Sequence, residues 1–283
     1  MMKTTKRHLL YYVAGAVLLA LASCVKDDLY DTPHPGRGVA AVAIDLPEGA
    51  AAGGFTVEID GTPVEKTEDG YTVSEPLAPG EYSVLAHNAP QGFSIADGIA
   101  RVNMADAVRA LSTLIDPLPG CLYSGTERIL VTADDTVRVR LDVAQRTRDL
   151  HLRLTVTEGD PERIATIKGT LSGVACAYDM RKEELCGEAA STRPAFTRDG
   201  GNVSADLRLL GTMGGAQTLT LEIAFTNGDT QTVESDLTEA LAAFNGGKEP
   251  LTLTGDLLLP IGGGFSGSIG GWQQADGGNT DAH

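Results

Sequence analysis

The sequence predicts an all-β protein built from two tandem antiparallel β-sandwiches, with a short helix in the second. Short segments of alternating apolar and polar residues recur along the chain, for example at residues 39–44 and 137–143. A period of two is typical of strands with one buried face, and many short strands divided by turns favour sandwiches. The alternation pauses on a polar run at residues 144–148. We therefore expect sandwiches over residues 39–147 and 148–272.

The N-terminal segment is typical of a secretory signal. Three basic residues precede an apolar run that ends at Ala22, and no acidic residue lies upstream of Cys24. The run is too short to cross a bilayer comfortably, and a small-residue site follows it. The residues up to Cys24 resemble the bacterial lipobox. This resemblance implies that residues 1–23 are removed and that lipid, including palmitate, is attached to the Cys24 thiol.

The residues after Cys24 predict an address on the cell surface. Lys26, Asp27 and Asp28 resemble the short signal that exports lipoproteins of the Bacteroidales to the outer face of the outer membrane. The alternative is a solvated charge cluster in a flexible tether. Residues 24–38 are polar and punctuated by Pro33, Pro35 and Gly36, which predicts a tether between the lipid and the fold.

The charge of the chain excludes nucleic acid as a partner. The whole chain has a formal net charge of -16, and removal of residues 1–23 takes away three basic and no acidic residues, which leaves -19. Nucleic-acid binding needs clustered Lys and Arg. Membrane attachment must then depend on the lipid, because no basic patch is available to bind anionic head groups.

The first predicted sandwich carries a recognisable turn. Residues 77–84 have the pattern L-x-P-G-x-Y-x-V, which resembles a motif of transthyretin-like domains. Pro79 and Gly80 predict a tight turn, and Tyr82 and Val84 then lie on one face of the next strand. Residues 104–115 are ambiguous. Their apolar residues fit one face of a helix, which Pro117 would end.

The second predicted sandwich contains five alternating segments, at residues 150–156, 165–173, 203–210, 219–225 and 251–259. One helix is predicted between the last two. Asp236 is its cap, Glu239 follows three residues later, Leu241 and Phe244 belong to its apolar stripe, and Gly246 ends it. After Pro260 the chain is rich in glycine, and residues 273–283 are predicted to be a disordered tail.

The chain offers no set of residues for catalysis, a metal or a cofactor. It has no G-x-S-x-G or H-E-x-x-H motif, and the adjacent acidic pairs are interpreted as solvated charge. We therefore predict no enzymatic activity, no metal site and no cofactor. Cys176 and Cys186 are close enough in sequence for a disulfide in an oxidising compartment, with Cys121 left over. Alternatively all three are reduced core residues.

The second half resembles the FimB-type fimbrial anchor subunits. Residues 165–175 resemble the opening strand and turn of their second domain, and Asn227-Gly228-Asp229, Asp236-Leu237-Thr238 and residues 257–260 resemble later motifs in the same order. The resemblance implies two transthyretin-like domains, a lipid anchor on the outer membrane and a pilin as partner. The resemblance also implies the way of joining, because pilins in that family join by a C-terminal strand that enters a neighbour's groove. The matching residues here are Leu253, Leu257, Leu259, Ile261, Phe265, Ile269 and Trp272.

Two alternatives follow from these patterns. In the first alternative, residues 251–259 complete their own sheet. Residues 261–272 are then the better candidates for exchange, with Ile261, Phe265, Ile269 and Trp272 as the contacts. In the other, the protein is a glycan-binding surface lipoprotein of a nutrient-uptake system. Sugar-binding platforms expose several aromatic rings, whereas aromatic residues make up only 5% of this chain, with one Trp.

Overall fold

The computed structural model describes residues 36–47, 54–67, 70–72, 75–105, 114–261 and 267–275. Within these residues the protein consists of strands and two 3-10 turns, at Pro161–Arg163 and Phe244–Gly246. The all-β prediction is confirmed. No helix in this part of the chain is long and apolar enough to cross a membrane.

The first sandwich is formed by two sheets of nine strands in total. One sheet has the order β11-β1-β5-β4, and the other has the order β12-β10-β6-β2-β3. The strands are β1 (Val39–Asp45), β2 (Phe55–Ile59), β3 (Thr62–Pro63), β4 (Glu65–Thr67), β5 (Gly70–Thr72), β6 (Gly80–Asn88), β10 (Tyr123–Val131), β11 (Thr136–Asp142) and β12 (Ala144–Gln145).

The turn motif lies at the start of β6, as predicted. The Tyr82 hydroxyl donates to the Ala78 carbonyl oxygen at 2.9 Å, which ties the strand to the turn that precedes it. Tyr82 and Val84 both pack into the core of the first sandwich, and Val84 is fully buried. The residues of this motif therefore fix both the turn and the face of β6 that is buried.

The second sandwich also has two sheets. One has the order β16-β17-β13-β20-β21, and the other contains β19-β18-β14-β15-β9 with the pair β7 and β8 beside β14. The strands from the second half of the chain are β13 (Arg148–Glu158), β14 (Ile164–Asp179), β15 (Glu184–Thr192), β16 (Thr197–Asp199), β17 (Asn202–Leu209), β18 (Thr218–Phe225), β19 (Thr230–Asp236), β20 (Leu251–Leu258) and β21 (Ser268–Gln274).

Three strands of this second sandwich come from the first half of the chain. They are β7 (Phe93–Ala96), β8 (Ile99–Val102) and β9 (Leu114–Ile115), and we call residues 89–122 the excursion. β8 pairs with the end of β14, and β9 pairs with β15. The predicted boundary between residues 147 and 148 places these three strands in the first sandwich, whereas they pair with strands of the second. By pairing, the excursion belongs to the second sandwich.

The two hydrophobic cores follow this division with one exception. Buried residues of the first sandwich form one cluster, from Ala40 to Val143. The second cluster contains the buried residues between β13 and β21, together with Ala100, Val102, Ile115 and Leu122 from the excursion, and also Leu85 from β6 of the first sandwich. The second core thus includes side chains that precede the end of the first sandwich in sequence.

The helix predicted after Asp236 is wrong in its type. Asp236 Oδ1 accepts from the Thr238 backbone N–H at 2.8 Å, as a cap would, and Leu237, Leu241 and Phe244 are buried as the predicted stripe. The backbone nevertheless forms successive turns that end in the 3-10 turn. Arg148 Nη1 donates to the Phe244 carbonyl oxygen at 2.6 Å, so the last of these turns contacts a residue distant in sequence.

The predicted tail begins too early. β21 continues to Gln274, so Gln273 and Gln274 lie in a strand that pairs with β20. Their polar side chains gave no sign of a strand because β21 is an edge strand whose last residues are exposed. Residues 276–283 lie outside the described residues.

Candidate functional site

The candidate exchange segment is docked on the protein's own sheet. β21 runs antiparallel to β20, with Leu257 opposite Ile269 and a register shift between Thr254 and Asp256. β21 is the last strand of its sheet in the described part of the chain, so its outer edge pairs with no strand there. Leu251–Leu258 completes its own sheet as β20, parallel to β13, in agreement with the alternative stated above.

Two apolar side chains hold β21 in place. Ile269 is buried, and the half-buried Trp272 donates from its indole N–H to Ser235 Oγ of β19 at 2.8 Å. Gly255 of β20 lies beneath the indole, where a Cβ atom would come within 3.1 Å of Trp272 Cε3. The remaining side chains of β21 are small or polar, and three of its seven residues are Ser268, Gly270 and Gly271.

The structure brings together only part of the predicted site. Ile269 and Trp272 are neighbours on β21, whereas Ile261 is 73% exposed and lies before the next undescribed stretch. Phe265 lies outside the described residues, as do Cys24, Lys26, Asp27 and Asp28. Leu253, Leu257 and Leu259 are buried in the second core rather than available to a partner.

Two residues of this site were missed by sequence reasoning. Ser235 accepts the indole hydrogen bond and Gly255 makes room for the ring. A glycine inside an alternating strand pattern indicates a close approach by another group, and Gly255 sits in such a pattern. This signal was available in the sequence. Ser235 carried no comparable signal.

A second candidate site is the cleft between the two sandwiches, with a volume of about 800 Å³. Arg146 and Arg148 line it. Arg146 donates to Ser124 Oγ at 3.0 Å and forms an ion pair with Glu183, and Arg148 donates to backbone carbonyl oxygens including that of Phe244. Burial lowers the pKa of the Arg148 guanidinium, and Glu249 opposes this effect.

Two aromatic rings of this cleft, those of Tyr178 and Phe244, are covered. The Arg146 guanidinium lies 5.5 Å from the centre of the Tyr178 ring, and that of Arg148 lies 4.9 Å from the centre of the Phe244 ring. Both rings are buried, and burial raises the pKa of the Tyr178 hydroxyl against the opposing charge of Arg146. A sugar-binding platform needs open ring faces, which these two residues do not offer.

The three cysteines of the described chain are free thiols. Cys176 on β14 and Cys186 on β15 belong to paired strands, but the residue opposite Cys186 is Ala177, because the register shifts beside Cys176. Cys176 Sγ contacts the Glu188 carbonyl oxygen at 3.2 Å. Burial raises the pKa of the Cys186 thiol, and Asp179 adds to the shift. Among the described residues, no three His, Cys, Asp or Glu side chains are grouped as metal ligands.

The chain matches the model of a known protein family. A family model described as "Fimbrillin-A associated anchor proteins Mfa1 and Mfa2" matches residues 55–275. No curated protein sequence matches the chain.

Solved structures of related type share the fold. The fimbrial anchor protein Mfa2 from Porphyromonas gingivalis is 13% identical, with a TM-score of 0.56 over 84% of this chain and 97% of that one. Two candidate adhesins from Bacteroides ovatus are similar as well. One is 17% identical, with a TM-score of 0.59 over 83% of this chain and 93% of that chain. The other is 14% identical, with a TM-score of 0.55 over 87% and 97% respectively.

Proposed function

The chain belongs to the family of fimbrillin-A associated anchor proteins, and we propose that it is an outer-membrane surface lipoprotein that anchors a fimbrium and joins a pilin by β-strand exchange. A fimbrial role in adhesion follows from the family. The lipid anchor, the surface location and the exchanged strand are the proposed details. The proposal includes no catalytic activity, because the family is not an enzyme class.

The observation that carries the strand exchange is the way β21 is held. It is a short edge strand with one buried side chain, one hydrogen-bonded indole and three small residues. Release of β21 exposes one buried side chain, breaks the indole hydrogen bond and the pairing with β20, and frees both the strand and the edge of β20. Strand addition suits a permanent joint, since main-chain hydrogen bonds supply affinity and alternate side chains fix the register.

Removal of β21 tests the exchange. A chain that ends at Pro260 should no longer co-purify with a pilin-like subunit when the lipoprotein is isolated from surface-biotinylated native cells. The matched control lacks only residues 276–283 and should retain the subunit in near-equal amount. Both chains should be secreted and folded, as judged by circular dichroism. Full capture by the chain that ends at Pro260 would contradict exchange through β21.

Substitutions near the N terminus test the anchor. Cys24→Ser should abolish labelling with radioactive palmitate and release the protein from membranes. Replacement of Lys26, Asp27 and Asp28 by alanine should leave the label in place but prevent biotinylation on intact cells. Biotinylation that persists in this second variant would contradict the export signal while leaving the lipid anchor intact.

We propose further that Cys176 and Cys186 form a disulfide after export, when molecular oxygen or an oxidised dithiol takes up the two electrons and two protons that the thiols lose. The thiols lie on paired strands, although they are not directly opposite. Peptide mapping without reduction should find one peptide that joins the two cysteines, with Cys121 alkylated. Quantitative alkylation of all three thiols in protein from the cell surface would contradict the bridge.

A further inference from the structure

We propose that the parallel pair β1 and β11 is a mechanical clamp that bears tension between the membrane and the rest of the protein. The inference rests on the proposed function in one respect, namely that the N terminus is held by lipid and a partner pulls elsewhere. A fimbrial anchor of this kind is loaded along its length whenever the fimbrium is pulled. The question is then which contacts resist that load.

Tension applied at the N terminus reaches β1 first. β1 begins at Val39, directly after the predicted tether, and it pairs with β11 over seven residues, from Val39 opposite Thr136 to Asp45 opposite Asp142. On its other side, within the described residues, β1 pairs with β5 over two residues. The parallel pair with β11 is therefore the main attachment of β1.

The start of β1 is also gripped by the chain around it. The backbone N–H groups of Gly38 and Val39 donate to the carbonyl oxygens of Leu77 and Asp135, each at 2.9 Å. We call this end of the first sandwich the tether end. β6 begins there at Gly80, opposite Val131 at the end of β10, so the tether end contains the start of β1, β6 and β11.

Every covalent connection to the second sandwich leaves from the opposite end, which we call the junction end. The excursion leaves β6 after Asn88 and returns to β10 at Tyr123, and Ser124 is opposite His87 there. β11 also finishes at the junction end, at Asp142. A pull on Val39 from the membrane is thus opposed by a pull at the far end of the sandwich.

This placement loads the pair in shear. In a parallel pair, the N terminus of β1 and the C terminus of β11 lie at opposite ends, so opposed forces act along the strands and load all seven pairs together. Unzipping would load one pair at a time. Each backbone hydrogen bond contributes only about 1 kcal/mol, so simultaneous loading is what makes such a pair resistant. Rupture under force is governed by the unfolding rate, which shear geometry lowers.

The arrangement recurs in the second sandwich. Its first strand, β13, is parallel to β20 from Leu150 opposite Leu251 to Glu158 opposite Leu258. Tension that leaves through the C-terminal end of β20 would shear this pair as well. The protein thus contains two pairs of the same geometry in series.

Single-molecule pulling in different directions tests the clamp. The protein used begins at residue 25, and one handle is attached before Gly38, where it takes the place of the lipid. The second handle is attached through an azide-bearing amino acid that replaces one of two residues. These are Asp142, at the junction end, and Ala133, in the exposed turn at the tether end. At one loading rate, the Asp142 handle should give a severalfold higher rupture force for β1 than the Ala133 handle, which unzips the same pair.

A third handle at Gln91 is the matched control, because it reaches the junction end through the excursion and should give the same high force. Urea unfolding of each handled protein shows whether it is folded before it is pulled. Equal or lower force at Asp142 than at Ala133 would overturn the clamp. The result does not depend on acylation, so failure of the clamp and failure of the proposed lipid anchor are separate outcomes.

Discussion

At the scale of single residues, an ion pair between Arg181 and Glu58 joins the two sandwiches. Arg181 Nη2, in the turn between β14 and β15, lies 2.6 Å from Glu58 Oε2 on β2. His87 Nε2 is 3.8 Å from the other oxygen of the same carboxylate. The Arg181 stem packs over Gly98, which has a φ of +74° and no Cβ to obstruct it. The guanidinium and the carboxylate are both largely removed from water.

Arg181→Met should therefore lower the free energy of unfolding by about 1–2 kcal/mol, because the apolar stem is kept while a partly buried carboxylate loses its partner. Urea unfolding followed by circular dichroism measures the change. Arg140→Met is the matched control, since the Arg140–Asp45 pair is 81% and 46% exposed and should contribute little. Equal losses in the two variants would contradict this role for Arg181.

Low pH should destabilise the folded protein in part through Asp206. Burial alone would raise the pKa of Asp206, but hydrogen bonds from His151 and Arg153, each 2.7 Å long, lower it below its ordinary value of 3.8. A lowered pKa in the folded state contributes stability above the unfolded pKa, and this contribution is lost as the pH falls through the folded value. Asp206→Asn should therefore lose less stability than the parent chain when unfolding is measured from about pH 6 down to about pH 2.5. Parallel pH profiles of the two chains would contradict the pKa shift.

At the scale of elements, the fluorescence of Trp272 can report whether β21 is docked. Trp272 is the single tryptophan of the chain, and its indole N–H is bonded to Ser235 on β19. Ser235→Ala should weaken the docking of β21 and shift the tryptophan emission to longer wavelength at low urea, before the main unfolding transition. Ser268→Ala, on the exposed start of the same strand, is the control and should leave a single transition. Coincident transitions in the Ser235 variant would show that β21 does not detach separately.

The elements also show which patterns in the sequence can be interpreted. β17, β18 and β20 alternate strictly between buried and less buried residues, and each was predicted. β15 was missed, because its sequence ELCGEAAST has no alternation and its place is set by the pairing partner β14. The turns after Asp236 were predicted as a helix because cap and stripe were correct. The contact of Arg148 with the Phe244 carbonyl oxygen, which comes from 96 residues away, had no local signal.

At the scale of the whole molecule, the excursion decides how the sandwiches are joined. Its backbone pairs with β14 and β15, and Arg208 of β17 forms hydrogen bonds with it through its backbone N–H to the Pro117 carbonyl oxygen at 2.8 Å and through Nη1 to that of Pro119 at 3.3 Å. Sequence patterns identify strands but not the sheet that a strand joins. For this reason the sequence predicted the segment that forms β21. It did not predict the contact of β21 with Ser235 or the pairing of the excursion with the second sandwich.

The second sandwich should consequently not fold from its own residues alone. The fragment 148–283 lacks five residues that are nearly or fully buried in its core, namely Leu85 of β6 and Ala100, Val102, Ile115 and Leu122 of the excursion. Burial of one large apolar side chain contributes roughly 1.5–3 kcal/mol, so their loss removes a large share of the 5–15 kcal/mol that stabilises a typical domain. The fragment should therefore be aggregated or unfolded by circular dichroism and gel filtration.

Residues 89–122 return four of these five core residues, and when joined ahead of residue 148 by a short linker they should restore cooperative unfolding. A short linker suffices because the Arg146 backbone N–H donates to the Leu122 carbonyl oxygen at 2.7 Å, so the two ends already lie close together. Ile115→Asp in the joined fragment is the control and should abolish the rescue by placing a charge in the core. A soluble fragment 148–283 with a full cooperative transition would show instead that the excursion merely covers a finished sandwich. In that case the two sandwiches would be linked only by the chain and by surface contacts. Tension would then pass between them through residues 142–148 alone.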